Sequence, residues 1–151
     1  MSDLTIRPLV AADRPAWDQL WQAYLAYYET ELPGAVYDTA FERLLSGDPH
    51  EFAGLIAEQD GVAVGLTHYL FHRRLWSIED TCYLMDLYVS PDCRGGGVGR
   101  QLIEAVHERA KAAGIPDVYW LTQEFNYKGR MLYDKVATRT PFIKYAKRDP
   151  S

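Results

Sequence analysis

Between Asp86 and Arg100 the chain reads Asp-Leu-Tyr-Val-Ser-Pro-Asp-Cys-Arg-Gly-Gly-Gly-Val-Gly-Arg, with four glycines, Gly95, Gly96, Gly97 and Gly99, within five positions. Glycine lets successive backbone N–H groups turn toward one point and approach a ligand closely. A helix starting just after such a loop adds the positive end of its dipole. The combination suits a pyrophosphate. A nucleotide-hydrolysing loop would continue with Lys-Ser or Lys-Thr, whereas Gly99 is followed by Arg100-Gln101. A dinucleotide fold would place its glycine loop after the first strand, and this one lies in the second half of the chain.

The elements that must hold this loop follow from periodicity and breakers. Leu4 to Leu9 reads as a first strand. Asp13 then offers an N-cap with Pro15 in the first turn, and Trp17, Leu20, Trp21, Tyr24 and Tyr28 fall on one helical stripe, predicted to be core. This helix must end before Pro33-Gly34, and Tyr37 to Leu45 carries a weaker helical pattern. Phe52 to Glu58 and Val62 to His72 flank Asp60-Gly61, a hairpin signal. Thr81 to Val89 is a strand with bulky residues on both faces, hence central. After the glycine loop, Val98, Leu102, Val106, Ala110 and Ala113 define a helix capped by Gly114. Val118 to Thr122 reads as a short strand, Asn126 caps a helix reaching about Val136, and Thr138 to Lys147 reads as a last strand interrupted at Pro141. These elements predict one α/β domain over residues 1–151, with its core at about 3–147 and a mixed, mostly antiparallel sheet flanked by about four helices.

Arg94-x-x-Gly97-x-Gly99, between a strand and an amphipathic helix, resembles the acetyl-CoA loop of the Gcn5-related N-acetyltransferase (GNAT) family. The element order over almost the whole chain is similar to that family's. Asn126 followed seven residues later by Tyr133 resembles its second cofactor segment, in which the tyrosine faces the sulfur of CoA. More narrowly, Trp76-Ser77-Ile78-Glu79, Tyr83-Leu84, Asp86-Leu87-Tyr88-Val89 and Val118-Tyr119-Trp120 look like the fungal subgroup that acetylates histone lysines, polyamines or D-amino acids, and the neighbouring diamine acetyltransferases. Two positions depart from that pattern. Met85 stands where those relatives commonly carry a glutamate that helps deprotonate the amine, and Ala137-Thr138 replaces their Gly-Phe or Gly-Tyr.

The resemblance implies an acetyl-CoA-dependent N-acetyltransferase acting on the primary amine of a small molecule or a lysine side chain. Leu87, Tyr88 and Val89 would pair by backbone with the pantetheine arm, Arg94, Gly95, Gly96, Gly97, Val98, Gly99 and Arg100 would hold the pyrophosphate, and Asn126 would contact the cofactor or cap its helix. Direct transfer needs a fixed thioester, a neutral amine and a proton donor for the departing thiolate. Tyr133 is the expected donor. Asp86, Glu79, Glu124 and Glu29 are the acidic candidates for deprotonating the amine, with Asp86 taken first, and Tyr27 and Glu29 would wall the substrate pocket. The alternative is a catalytically weak CoA-binding module that keeps the loop, a reading motivated by Met85.

His68 and His72 share a strand face, but two histidines without a third ligand make a poor metal site, so no metal is expected. Sixteen basic against twenty-one acidic side chains give a net charge of −5, which argues against nucleic-acid or acidic-lipid partners. That charge favours an amine bearing a second positive charge, such as a polyamine or a lysine side chain. An amino-acid substrate would need a cation for its carboxylate, and Arg73, Arg74 and Lys128 are candidates. Two cysteines without metal or disulfide spacing, and the absence of an apolar segment of roughly 18 to 20 residues, point to a cytoplasmic protein. The subgroup resemblance implies a homodimer, in which the apolar ending Thr140-Pro141-Phe142-Ile143-Lys144-Tyr145 would be covered by a second copy.

Overall fold

A computed structural model describes residues 3–150, which group into two units, one running to Leu121 and one beginning at Thr122. The first unit holds a five-stranded sheet. Its strands are β1 (Leu4–Pro8), β2 (Ala53–Gln59), β3 (Val62–His72), β4 (Thr81–Val89) and β5 (Val118–Tyr119), in that spatial order. The first three pairings are antiparallel, and β4 pairs with β5 in parallel. Three helices complete the unit: α1 (Arg14–Tyr27), α2 (Gly34–Leu44) and α3 (Val98–Ala112). The second unit contains α4 (Tyr127–Val136).

The β2–β3 hairpin closes through two residues of positive φ, Asp60 at 52° and Gly61 at 81°. Two such residues make the turn whose twist matches paired strands, which is why Asp-Gly announces it in the sequence. On β3 the side chains alternate. Leu66 enters a core with Trp17 and Leu20 of α1, Phe41 of α2, Leu9, Ile56 and Tyr88. Its neighbour Gly65 faces the other way, where a Cβ would sit 2.9 Å from the Tyr88 carbonyl and 3.2 Å from Leu102 of α3. The sheet is therefore covered on one face by α1 and α2 and on the other by α3, whose Val98, Leu102, Ile103, Val106 and Ala110 are buried.

Several sequence expectations are corrected. Asp13 occupies the N-cap position of α1 but makes no side-chain cap there. Its carboxylate instead accepts from Arg7 Nη1 and Nη2, both at 2.8 Å, and from the Val10 N–H at 2.8 Å. The charged fork of Arg7 is a stronger partner than a neutral amide of the helix start. Tyr28 lies beyond the end of α1 and is 38% exposed, so the core stripe stops at Tyr24. α2 begins at Gly34, three residues before the expected start, because Pro33 with extended backbone opens it. β5 is two residues long instead of five. The expected last strand, Thr138 to Lys147, is not formed. A strand exists only as part of a hydrogen-bonded ladder; no described segment pairs with this stretch, and Phe142, Ile143 and Tyr145 are exposed.

The Arg7 hydrogen bonds hold the Asp13 carboxyl below its ordinary value of 3.8. A depressed carboxyl contributes stability that is complete above the unfolded-state value and disappears as pH falls through the folded one. Replacing Asp13 with Asn should cost about 1–2 kcal/mol at neutral pH, after discounting for the exposed side of Arg7. Urea denaturation midpoints of the two proteins should converge as pH drops below about 4; a gap that persists unchanged in acid would show that the pair does not supply the difference.

Candidate functional site

The pairing of β3 with β4 is irregular at one place. His68 pairs with Asp86 and Tyr69 with Leu84, so Met85 is an extra residue on β4. Such a bulge puts two consecutive side chains on one side of the sheet and re-aims them. Here it brings Asp86 to the face that carries His68, under α1. His68 has room there because its partner on β2 is Gly54, where a Cβ would come within 3.3 Å of the imidazole and 2.6 Å of Leu9.

The Asp86 carboxylate lies 2.9 Å from His68 Nδ1 and also takes a hydrogen bond from the Tyr24 hydroxyl. His68 Nε2 in turn accepts from the indole Nε1–H of Trp17 at 3.0 Å. Burial, and then the negative charge of Asp86, hold the Tyr24 and Tyr83 hydroxyls above the ordinary tyrosine value. Burial raises Tyr28 as well. These phenols therefore stay protonated and can act as donors. Tyr24, Tyr27 and Tyr28 stack edge to face at the C-terminal end of α1, with centroids 5.2 and 5.0 Å apart. Tyr27 is 56% exposed, and Glu29, with φ at 54°, is exposed beside it. Of the other acidic candidates, Glu79 lies in the exposed segment between β3 and β4, and Glu124 is exposed in the second unit.

Beyond Asp86, β4 continues to Val89, but β5 pairs with it only at Cys82 and Tyr83. Leu87, Tyr88 and Val89 thus border a strand edge that no described strand covers on that side. Arg94 folds back on this edge. Its Nε donates to the Val89 carbonyl at 2.9 Å, and its guanidinium lies 5.6 Å from the centre of the Tyr88 ring. One backbone acceptor expected to face the pantetheine arm is therefore already engaged. In the glycine loop Gly95 (φ 88°) and Gly97 (φ 85°) are left-handed, and Gly97 precedes α3 with no side-chain cap. Left-handed turns leading into an uncapped, fifteen-residue helix form a concave set of N–H donors suited to an anion. Val98 is buried beneath it, and Arg94, Gly95, Gly96, Gly97 and Arg100 are exposed.

In the second unit Asn126 caps α4, its Oδ1 accepting from the Gly129 N–H at 3.2 Å. Its Nδ2 donates to Thr122 Oγ1 at 2.9 Å. The side chain packs so closely on Gly129 that a Cβ there would lie 2.5 Å from Nδ2. Tyr133 lies two turns into α4 and is half-buried.

The paired histidines diverge. Both ring nitrogens of His68 are engaged by Trp17 and Asp86, and those of His72 by the Arg73 carbonyl and the Tyr119 hydroxyl, each at 2.8 Å. Among the cations suggested for a carboxylate, Arg74 is tied to Asp117 at 2.9 Å, and Arg73 stands 3.8 Å from Asp80. Sequence reasoning missed the roles of Trp17 and His68. Trp17 sits on a regular apolar stripe, and nothing in the linear order signals that a tryptophan 51 positions away meets that histidine.

Residues 17–137 match the model of the acetyltransferase (GNAT) family. The chain is 36% identical over 143 residues to a D-amino-acid N-acetyltransferase of Saccharomyces cerevisiae, covering 94% of this chain and 89% of that protein. It is 32% identical over 81 residues to the thialysine N-epsilon-acetyltransferase of Sus scrofa, covering 54% of this chain and 47% of that one. An aminoglycoside N-acetyltransferase solved with CoA superposes with a TM-score of 0.86 at 22% identity, covering 98% and 96% of the two chains. The ribosomal-protein-alanine N-acetyltransferase of Brucella melitensis gives 0.81 at 21% identity, over 97% and 99%. At these identities the two structures establish the fold.

The loop's geometry separates its glycines by experiment. A Cβ at Gly97 meets nothing nearer than Gln101 at 3.9 Å, so substitution there costs backbone strain and not a clash. Gly97→Ala should lose about 1–2 kcal/mol by thermal or chemical denaturation. Gly96→Ala, at a position without positive φ and with its nearest contact at 3.5 Å, should stay near the parent. Equal losses at both positions would contradict the left-handed assignment.

Proposed function

The chain belongs to the acetyltransferase (GNAT) family, and from that membership we propose that it transfers acetyl from acetyl-CoA directly to the primary amine of a small molecule. The observation that carries the reading is the joining, on one strand, of a carboxylate at the Met85 bulge to an uncovered edge and an anion-binding loop. Gly95, Gly96, Gly97 and Gly99, with Arg94 and Arg100, supply donors and charge for the pyrophosphate, and Leu87 to Val89 supply the edge for the pantetheine arm. The residues present fit that cosubstrate. Bound acetyl-CoA supplies an acetyl thioester, a carbonyl carbon open to attack by a neutral amine.

Asp86 takes one proton from the substrate ammonium, which exposes the nitrogen lone pair. As the C–N bond forms and the C–S bond breaks, Tyr133 gives its phenolic proton to the departing sulfur and recovers one, through water, from the new amide nitrogen. The proton on Asp86 passes to solvent. One ammonium and one acetyl thioester thus yield one amide, one thiol and one proton. Tyr133 carries the donor role through the family resemblance, and Tyr27 and Glu29 are the proposed substrate contacts.

The named relatives favour an amino-acid amine, since D-amino acids and thialysine both carry a carboxylate. A polyamine or a lysine side chain is the second class, supported by the net charge of −5. The reading also includes a single cytoplasmic domain acting as a homodimer. Its support is the exposed Phe142, Ile143 and Tyr145 and the free state of Cys82 and Cys93. Among the described residues no helix is long and apolar enough to cross a membrane.

Thiol release from acetyl-CoA, measured over D- and L-amino acids, spermidine and a lysine peptide, tests the activity. Acceleration by at least one amine is expected, with amino acids ahead. Thermal stabilisation by acetyl-CoA without acceleration by any amine would instead assign a CoA-binding module. Tyr133→Phe should lower turnover by roughly 10²- to 10⁴-fold while leaving that thermal stabilisation in place; unchanged turnover would assign Tyr133 to packing.

A further inference from the structure

Most of the carboxylates that form ion pairs in the first unit are matched by a guanidinium. Asp13 and Glu58 meet Arg7, Asp18 and Asp38 meet Arg14, and Asp117 meets Arg74. Asp86 is different. Among the described residues its one ion-pair-range neighbour is His68, and its charge also helps hold the hydroxyls of Tyr24, Tyr28 and Tyr83, none of them a cation, above the ordinary tyrosine value. Whether Asp86 is compensated therefore depends on the protonation of His68.

Trp17 settles that. An indole N–H can only donate. The nitrogen it meets, His68 Nε2, must therefore present a lone pair, and the proton of the ring resides on Nδ1, facing Asp86. An imidazolium would set N–H against N–H at 3.0 Å inside the core, with Trp17 fully buried and His68 5% exposed. Trp21, stacked on Trp17 at 5.9 Å and edge-on to His68 at 5.2 Å, leaves the imidazole little freedom to turn away.

Resting on the proposed acetyl transfer, we infer that Trp17 and His68 are positioning residues for amine deprotonation: the indole fixes His68 as its neutral Nδ1–H tautomer, leaving Asp86 a carboxylate without a cation of its own. The substrate ammonium is the missing cation. His68 Nδ1–H and the Tyr24 hydroxyl hold the carboxylate in place while one proton moves from the ammonium nitrogen to a carboxylate oxygen. His68 keeps its charge in this step. With Met85 unable to accept a proton, the adjacent residue on the bulge takes over that work, and the core of α1 enforces it.

The test has two arms. In protein labelled with ¹⁵N-histidine, His68 should show a protonated Nδ1 and a bare Nε2 across the range of about pH 5 to 8, in which an unconstrained histidine gains its second proton. In Trp17→Phe, Nε2 should take up a proton as pH falls through that range. The second arm follows kcat/KM with acetyl-CoA and the fastest amine of the panel. The acid limb of Trp17→Phe should move upward by about one pH unit or more, because an imidazolium beside Asp86 weakens it as a base. The double variant Trp17→Phe, His68→Asn, whose amide donates to Asp86 but cannot titrate, should return the limb to its original place. A purely structural role for Trp17 would lower activity without moving the limb or allowing that rescue, and would overturn the inference. An imidazolium at His68 in the parent protein above pH 6 would overturn it without any variant, which matters if Trp17→Phe fails to fold. If no amine is acetylated at all, the deprotonation role falls with the activity, while the tautomer is still decided by the spectra.

Discussion

Pairing of β3 with β4 governs the rest of the first unit, and the insertion of Met85 into that pairing is its most consequential feature. A strand without the bulge would turn every side chain beyond Leu84 to the opposite face. Asp86 would then point toward α3 instead of toward His68, and Tyr88 would leave the α1 core it shares with Leu66. One extra residue therefore sets the direction of the carboxylate, the composition of the core and the register of the strand edge that leads into the glycine loop.

The same pairing explains why glycine recurs beside the site in two different roles. Gly54 and Gly65 are places where neighbouring atoms need the space of a Cβ, the first for the side chains of His68 and Leu9, the second for the Leu102 side chain and the Tyr88 carbonyl. Gly95 and Gly97 have open surroundings and are required by conformation, since both are left-handed. The first pair lets the layers close. The second lets the chain turn sharply into α3. Composition alone does not separate these roles, because a glycine needed for space and one needed for φ are identical letters.

Hydrogen-bond chemistry gives the buried histidine its character. His68 lies between a group that can only donate and a group that, when ionised, can only accept. This polarises the ring without placing a charge in the core, so the desolvation cost of a buried imidazolium is avoided. The arrangement joins α1, β3 and β4 through three side chains, which makes an aromatic core residue part of the electrostatics of a strand edge. Arg7 and Asp13 do the equivalent work at the start of α1 with full charges, where partial exposure tolerates them.

The sequence by itself determined what is encoded locally. Asp60-Gly61 specifies its turn through the φ values those residues accept, the stripe from Val98 to Ala110 specifies α3 through its period, and Asn126 specifies the start of α4 through a bond to Gly129. The left-handed turns before α3 are foreshadowed by the glycines between Arg94 and Arg100 for the same reason, since backbone freedom and a helix start are adjacent in the chain. What depended on distant partners was not legible. Asp13 reads as a cap until Arg7 competes for it, Thr138 to Lys147 reads as a strand although no described neighbour pairs with it, and His68 reads as one of two histidines on a strand face, with nothing to show that Trp17 and Asp86 occupy its nitrogens. Only the tertiary structure decided these, because a hydrogen bond between residues 51 positions apart depends on how layers stack and where a strand bulges, and neither leaves a periodic trace in the order of amino acids.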